Sequence, residues 1–589
     1  MRWSIVLCAL VWVASCWFLR GDLGRWNDDY FFHWIDPASG AWLDSWEVRT
    51  TPFFPPETGV PAWRPLFFTL GPALNTALWA WPAAMHTCQA LMHLCMVCAL
   101  CWLAAELGLS RRARVVVALI AIPCAPAFET VFWTMAWPTT FAMVLVFLTG
   151  AALARAVRRD NLRWGALAVL FALPVPLLNE QPAAAFFALP FLVLAVRPAS
   201  MSVRLALVRH GWVVAVIGAW CVLYAARLVL HETPAGTVGA SGMIVHADAV
   251  PRVTGRLLSE FWKDFAEWRY IRGGARSLGW QEVLARPVWS AAMLAGAAAC
   301  AAVAGRWLTA RGDDENPDGQ SGRRAAWVGV IALAMTVGAM VPLAAVDSPL
   351  RPRMLLCSWC AFALFVGACV DWARARIVAK GWRLAPAAWA GCALLAAFVA
   401  SCSLSMIGVQ RAYRERWLLD ERIGANFRTA MPDPPPGTVF FMLDVQDRSL
   451  RTGNRHMDRH FFGALACSWS YPTFLKFVYQ RADIECQTYQ EGWAHLSWAD
   501  EHAYVPVLPM LHGAPVEPLP PDCPPMKPLQ VGVAWDKSVF IDIAGDGGLT
   551  LVEEIEVRLP NGKVLRVTPP RGELWKGARV PRRVLHVTY

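Results

Sequence analysis

Long apolar runs separated by short polar clusters organise most of this chain. They fall at about residues 3–20, 83–105, 113–127, 139–157, 164–178, 183–197, 210–230, 287–305, 326–346, 354–371 and 386–407. At 1.5 Å per helical residue, about 20 residues cross the roughly 30 Å of membrane hydrocarbon. The pattern therefore predicts a polytopic α-helical membrane protein with about 11 spans, some of them short. The polar clusters are ordered as well. Arg111, Arg112 and Arg114 follow the second run, Arg155, Arg158, Arg159 and Arg163 the fourth, and Arg197, Arg204 and Arg209 the sixth. Arg306, Arg311, Arg323 and Arg324 follow the eighth run, and Arg374, Arg376, Lys380 and Arg383 the tenth. Short basic loops stay on the cytoplasmic face, which puts the amino terminus and these five loops inside. The segment 21–82, the turns near 129 and 180, the loop 231–286, the turn 347–353 and everything after 408 then face outward. Arg252, Arg256, Arg269, Arg272 and Arg276 in the loop 231–286 argue against this, but that loop is long and five loops agree. The inner loop 306–325 reads as a polar linker.

After the last run the pattern changes. Residues 1–407 form the membrane domain, 408–436 a linker made rigid by Met431–Pro432–Asp433–Pro434–Pro435–Pro436–Gly437, and 437–589 a separate outer α+β domain. That domain holds a strand-like run 438–443, a helix-like stretch 459–480 and strand-like runs 530–543, 549–558 and 563–568. Pro560–Asn561–Gly562 is the turn between the last two.

Composition sharpens this reading. With 56% hydrophobic and only 17% charged residues over 589 positions, a soluble chain is excluded. The net charge of +10 does not indicate a nucleic-acid partner, because the basic residues sit in membrane-flanking clusters. The 17 cysteines include C-x-x-C spacings at Cys95, Cys98 and Cys101 and at Cys357 and Cys360. These lie inside apolar runs and read as small core hydrophobes. Of the cysteines in the polar domain, Cys467 and Cys486 are expected to pair and Cys523 to stay free, although the other pairings satisfy the sequence equally. Val13–Ala14–Ser15–Cys16 resembles a lipoprotein cleavage box, but Trp17, Phe18 and Leu19 continue the apolar stretch, so an uncleaved first helix is expected.

The residues able to carry chemistry fall on the outward side. Asp28 and Asp29 stand just beyond the first run, in a tryptophan-rich loop that lies along the membrane surface. Arg64 follows. His86, Gln89 and His93 share one face of the second helix at helical spacing; they read as hydrogen-bonded packing groups before metal ligands, since no third ligand matches them. Glu129 and Glu180 are acids in apolar turns, each able simply to cap the helix that follows. Arg351 and Arg353 sit in the late turn. Together these place acids and arginines at the outer ends of several helices. The chemistry that fits is attack of an acceptor hydroxyl on the anomeric carbon of a lipid-phosphate sugar, with an aspartate as base and arginine neutralising the departing phosphate. A polyprenyl-phosphate donor reaches such a site by diffusing within the membrane. The residues single out no particular cofactor, and a divalent cation is compatible with them.

In the same order over roughly residues 25–365, the chain resembles the transmembrane O-mannosyltransferases often fused to tetratricopeptide repeats and, more distantly, the protein O-mannosyltransferases. The family's acidic pair matches Asp28–Asp29, its Arg-Pro-Leu matches Arg64–Pro65–Leu66, and its His-x-x-Asn-x-x-x-His matches His86 to His93 with Gln89 for asparagine. Its Pro-x-x-x-Glu-x-Val turn is similar to Ala125 to Val131, its Lys-Glu to Asn179–Glu180, and its Arg-Tyr-Leu to Arg353–Met354–Leu355. Ala125, Asn179 and Met354 depart from the pattern, and no tetratricopeptide repeats follow. The resemblance implies a GT-C fold in a cell inner membrane and an inverting transfer on the periplasmic side. Asp28 would then be the base and Asp29 would orient it or the substrate. Arg353, Arg351 and Arg64 would face the donor phosphate, and Glu129, Glu180, His86 and His93 the substrates. The acceptor is a protein or a cell-envelope glycan. A lipid-linked-sugar flippase is the rival reading, although transporters place their polar sites near mid-membrane. A membrane-anchored structural or sensory protein is a third.

Overall fold

The computed structural model describes residues 2–17, 81–133, 136–230, 274–287, 321–345, 355–380, 384–443, 471–481, 483–489, 538–544, 546–558, 564–567 and 581–588, with isolated positions Leu66, Leu70 and Ser259. Helix α1 (Arg2–Trp12) widens into a π turn, Val13–Trp17. Then come α2 (Pro82–Glu106), α3 (Arg111–Ala121), α4 (Glu129–Phe132) and α5 (Trp137–Arg159). They are followed by α6 (Leu162–Ala172), α7 (Val175–Leu178), α8 (Glu180–Ala183), α9 (Leu189–Val196) and α10 (Val203–Leu230). Later come α11 (Gly274–Leu284), α12 (Ser321–Ala345), α13 (Leu356–Ala379) and α14 (Leu384–Ala430). Among the described residues six helices are long and apolar enough to cross a membrane, and shorter apolar helices lie at Val6–Cys16, Leu162–Leu178 and Glu180–Val196. This is a helical membrane protein.

The apolar runs and the helices do not correspond one to one. The run 113–127, expected as a span, is helical only to Ala121. Pro123 and Pro126 lack the amide hydrogens a helix needs, so the chain passes into a 3-10 turn at Ala125–Ala127. Prolines 174 and 176 likewise divide the run 164–178 into α6 and α7. Beyond Pro287, the run 287–305 falls outside the described residues. Close helix approaches rest on glycine: a Cβ at Gly338 of α12 would lie 2.3 Å from the Ala184 carbonyl oxygen, and one at Gly279 of α11 would lie 2.0 Å from that of Leu404. In hydrocarbon, where apolar burial gives helices no net drive to associate, such backbone proximity supplies the packing energy.

Two ends are distinct. At one, Glu106 sits 3.9 Å from Arg155 and 3.5 Å from Arg158, and Asp371 accepts from the Ser110 amide at 2.7 Å. Arg324 packs over Gly108, and Asp160 takes Arg209 and lies 3.4 Å from His210. Residues of the five arginine-bearing loops thus gather at one end of the bundle. The opposite end carries the turns that lead into α4 and α8 and the carboxy-terminal extension of α14. Helix α11, from the loop 231–286 whose arginines argued otherwise, packs on α14, where Arg411 contacts Gln281 at 3.1 Å and Glu282 at 3.9 Å. The loop's described helix therefore sits at the end opposite the five basic loops.

The segment 408–436, expected as a linker, is corrected by α14, which continues without a break to Ala430. Its 47 residues extend about 70 Å at 1.5 Å per residue. It joins two apolar cores, one containing Met406, Val409 and Tyr413 and the other Ile423, Phe427 and Met431. Around the second core lies a six-stranded sheet. Its elements are β1 (Val439–Leu443), α15 (Tyr471–Tyr479), β2 (Glu485–Tyr489), β3 (Ser538–Ile543), β4 (Leu549–Arg558), β5 (Val564–Val567) and β6 (Arg582–Thr588). The order is β2-β1-β3-β4-β5, with β6 paired to β4. β1 is parallel to β2 and β3, so β1–α15–β2 is a β-α-β crossover, while β4 runs antiparallel to β3 and β5. Phe440 meets Phe427 edge-on at 5.5 Å and stacks on Tyr479 at 5.9 Å, and the Tyr479 hydroxyl donates to the Phe427 carbonyl at 3.1 Å. Burial raises the Tyr479 pKa above the ordinary phenol range. Strands β3, β4 and β5 fall within expected runs, while β2 and β6 were not anticipated. The expected helix 459–480 is described only from Tyr471, and the Pro560–Asn561–Gly562 turn lies outside the described residues. Cys486 stands on β2 opposite Phe440. Cys467 and Cys523 lie outside the described residues, and so does the expected disulfide.

The proline-rich turn before β1 is held by an ion-pair clamp. Arg481 donates from Nε to Asp483 at 3.0 Å and from a terminal nitrogen at 2.6 Å, and also reaches the Pro434 carbonyl and Asp433. Asp483 in turn accepts from the Gly437 amide at 3.1 Å. The Arg481 guanidinium is the main reason the Asp483 carboxyl titrates below its usual range. A depressed folded-state pKa gives stabilisation that is complete above the unfolded value of about 3.9 and is lost as pH falls through the folded value. Wild type should therefore melt higher than Asp483→Asn at pH 6, and the gap should narrow as pH falls below the ordinary carboxylate value of about 3.9. A gap that does not change with pH over that range would show that the carboxylate's charge is not what holds the turn.

Candidate functional site

Breaking a helix inside a membrane leaves carbonyl groups without intrahelical donors, and each must find a partner in the protein. The break after α3 finds them on four other elements. The Ile120 carbonyl accepts from the Trp359 indole of α13 at 2.9 Å. The Ile122 carbonyl accepts from the Cys124 amide at 3.0 Å, from His93 Nε2 of α2 at 3.0 Å and from the Cys16 thiol of the first π turn at 3.8 Å. A carbonyl can only accept, so His93 carries a proton on Nε2. The Thr130 carbonyl accepts from Gln89 Nε2 of α2 and, at 3.0 Å, from the Thr140 hydroxyl of α5. The Thr130 hydroxyl closes its own turn by donating to Ala127 at 2.7 Å.

The second turn is held similarly. Asn179 caps α8, accepting from the Gln181 amide at 3.1 Å, while its side-chain amide donates to the Thr139 hydroxyl at 2.7 Å. Thr139 and Thr140 are neighbours in the first turn of α5. Through them a single helix end grips the turn bearing Glu129 and the turn bearing Glu180. The ring of Tyr413 on α14 leans on the first of these, 6.5 Å from Phe128 and 6.1 Å from Phe132.

Glu129 and Glu180 each open a helix of only four residues. Capping a helix that short is a weak reason to bury a carboxylate, because its macrodipole is small, yet Glu129 is buried. His86, Gln89 and His93 are all buried on one face of α2, as their spacing requires. Gln89 and the Nε2 of His93 serve the broken segment. Asp28, Asp29, Arg64, Arg351 and Arg353 lie outside the described residues. The chain on either side of them reaches the same place: Cys16 touches Ile122, and α13, entered through buried Leu355 and Leu356, packs on the 3-10 turn at Ala125–Ala127. Among the described residues no three His, Cys, Asp or Glu side chains converge as a metal site would. The residues that sequence reasoning missed are Thr139, Thr140, Thr130, Trp359, Gln410 and Tyr413. The Trp137–Pro138 helix start was the available signal for the first two, since it places Thr139 and Thr140 in an opening turn. Neither models of known protein families nor curated protein sequences match the chain.

The Thr130 carbonyl has two side-chain donors, which makes the break testable. Gln89→Leu and Thr140→Val should each cost about 1 kcal/mol, because one donor survives. The double variant should cost more than the sum, because only then is the buried carbonyl stranded. Thermal unfolding of the four proteins in detergent measures the coupling, and simple additivity would contradict the arrangement.

Proposed function

We propose that this protein is a glycosyltransferase of GT-C type. It moves a sugar from a polyprenyl-phosphate donor to an acceptor hydroxyl of a protein or cell-envelope glycan, at the periplasmic face of a cell inner membrane. The observation that carries the reading is the pairing of Thr139 with the Asn179–Glu180 turn and of Thr140 with the Thr130 turn next to Glu129. Two acids far apart in sequence are thereby registered against one helix end, at the end of the bundle opposite the basic loops. Packing alone does not require this, whereas recognition of a polar sugar beside the membrane does. The positive-inside pattern supports placing that end outside the cytoplasm, where a lipid-linked sugar is the donor within reach.

In this reading the full bundle has about eleven spans, with 437–589 as an outer domain. Asp28 removes the proton from the acceptor hydroxyl as it attacks the anomeric carbon, and Asp29 orients the base or the substrate. The bond from that carbon to the donor phosphate oxygen breaks, and Arg353, Arg351 and Arg64 neutralise the phosphate that leaves. Glu129 and Glu180 accept hydrogen bonds from sugar hydroxyls.

Asp28→Asn keeps size and removes the proton acceptor, so turnover should fall about a hundredfold or more with donor binding retained. Arg353→Ala should weaken both donor affinity and turnover. Transfer by purified protein supplied with a polyprenyl-phosphate sugar measures both effects. Unchanged transfer by the Asp28 variant would reject the base. Movement of the lipid across vesicles by a wild type that transfers no sugar would establish the flippase instead.

A further inference from the structure

Ser403, Ile407, Gln410 and Arg414 follow one another at spacings of four, three and four residues, so they form one stripe along α14. That stripe faces the end of the first helix. The Ser403 and Ser15 hydroxyls lie 2.8 Å apart, and Gln410 Nε2 donates to the Ser15 carbonyl at 2.9 Å. Arg414 is the next position outward, about 6 Å further along the helix axis and just past Val409, the last aliphatic residue of the membrane run. Tyr413 beside it packs on the rings that flank Glu129.

The other arginines on this part of α14 have acceptors. Arg411 holds Glu415 at 2.7 Å, Arg416 lies 3.4 Å from Asp420, Arg422 reaches the Asp546 carbonyl at 3.2 Å, and Arg428 reaches the Val478 carbonyl at 3.5 Å. Arg414 is half-buried, yet among the described residues no carboxylate or carbonyl accepts from it. A guanidinium offers five N–H donors in a planar fork, and taking them partly out of water without an acceptor is costly. The fork matches two oxygens of a phosphate, and at the membrane surface the phosphates within reach belong to lipids.

We propose that Arg414 binds the phosphate of the polyprenyl-phosphate lipid between the end of the first helix and the Glu129 turn. This rests on the proposed transfer reaction for the lipid's identity, and it adds a phosphate ligand on a helix that the sequence motifs do not reach. Arg414 holds the donor in place and stabilises the phosphate dianion after the sugar leaves.

The test uses full-length protein in nanodiscs and a sugar-free short-chain polyprenyl monophosphate as probe. Arg414→Gln should weaken its binding about tenfold or more, Arg414→Lys should fall between, and Arg428→Gln should bind like wild type. Phosphatidylglycerol in the disc and free inorganic phosphate should compete poorly. Wild-type affinity in Arg414→Gln overturns the proposal, and so does an equal loss of phosphatidylglycerol binding, which would make the arginine a general headgroup contact. If Arg414→Gln melts early, the lysine variant decides, since it keeps the charge and the fold but loses the fork. Loss of probe binding in a protein whose wild type transfers no sugar would keep the phosphate site and reject the transferase. Undiminished transfer by Arg414→Gln would do the reverse.

Discussion

A carbonyl group in hydrocarbon must have a donor, and the half of this bundle opposite the basic loops is arranged around carbonyls that their own helix leaves unserved. Pro123 and Pro126 stop α3 at Ala121. The freed groups at Ile120 and Ile122, and the Thr130 carbonyl of the short α4 that follows, are met from the first π turn, α2, α5 and α13. Three elements remote in sequence, and the adjoining α5, are fixed in register by one broken segment. Irregular backbone at membrane depth is tolerated only where protein or a polar cavity surrounds it, and here the surrounding protein is also where Glu129 begins. Fold and candidate chemistry therefore rest on the same hydrogen bonds.

The second organising device is α14. Apolar packing holds its first part in the bundle, with Phe398 stacked 5.9 Å from Trp359, and its last turns in the sheet domain, with Phe427 against Phe440. Between the two, Tyr413 leans on the Glu129 turn while Arg416 and Asp420 form a buried pair. The same rigid element that touches the candidate site thus anchors the sheet domain. The turn between β3 and β4 also rests on α14, with Asn426 donating to the Gly547 carbonyl at 2.8 Å and Gly547 in a left-handed conformation at φ 88°.

Much of this was legible in the residues, and the failures have physical causes. Hydropathy found the long helices because twenty apolar residues have few other uses. It misplaced the run 113–127 because it does not register proline, whose missing N–H outweighs the apolar pattern around it. It also ended the last helix near 407, since Arg411, Arg414 and Glu415 look like a solvated segment, although the helix continues because its far end packs on β1, β4 and α15. The face shared by His86, Gln89 and His93 was visible from spacing, but their partners are backbone carbonyls, and a carbonyl has no letter in a sequence. For the same reason Thr139 and Thr140 carried no signal of their own. Strands β2 and β6 were hidden because Glu485–Tyr489 and Arg582–Thr588 are short and mixed in polarity, and they become strands only by pairing with β1 and β4.

The central claim is that the end of the bundle bearing Glu129, Glu180 and the sheet domain is where a lipid-linked sugar is consumed. Proteoliposomes can be sorted for a single orientation by a tag on the sheet domain and given labelled polyprenyl-phosphate sugar, with an acceptor extract, on one side at a time. The account predicts release of free polyprenyl phosphate only when donor and acceptor are on the side of the sheet domain. Release from the side of the basic loops alone, or translocation of intact donor with no release on either side, would contradict it.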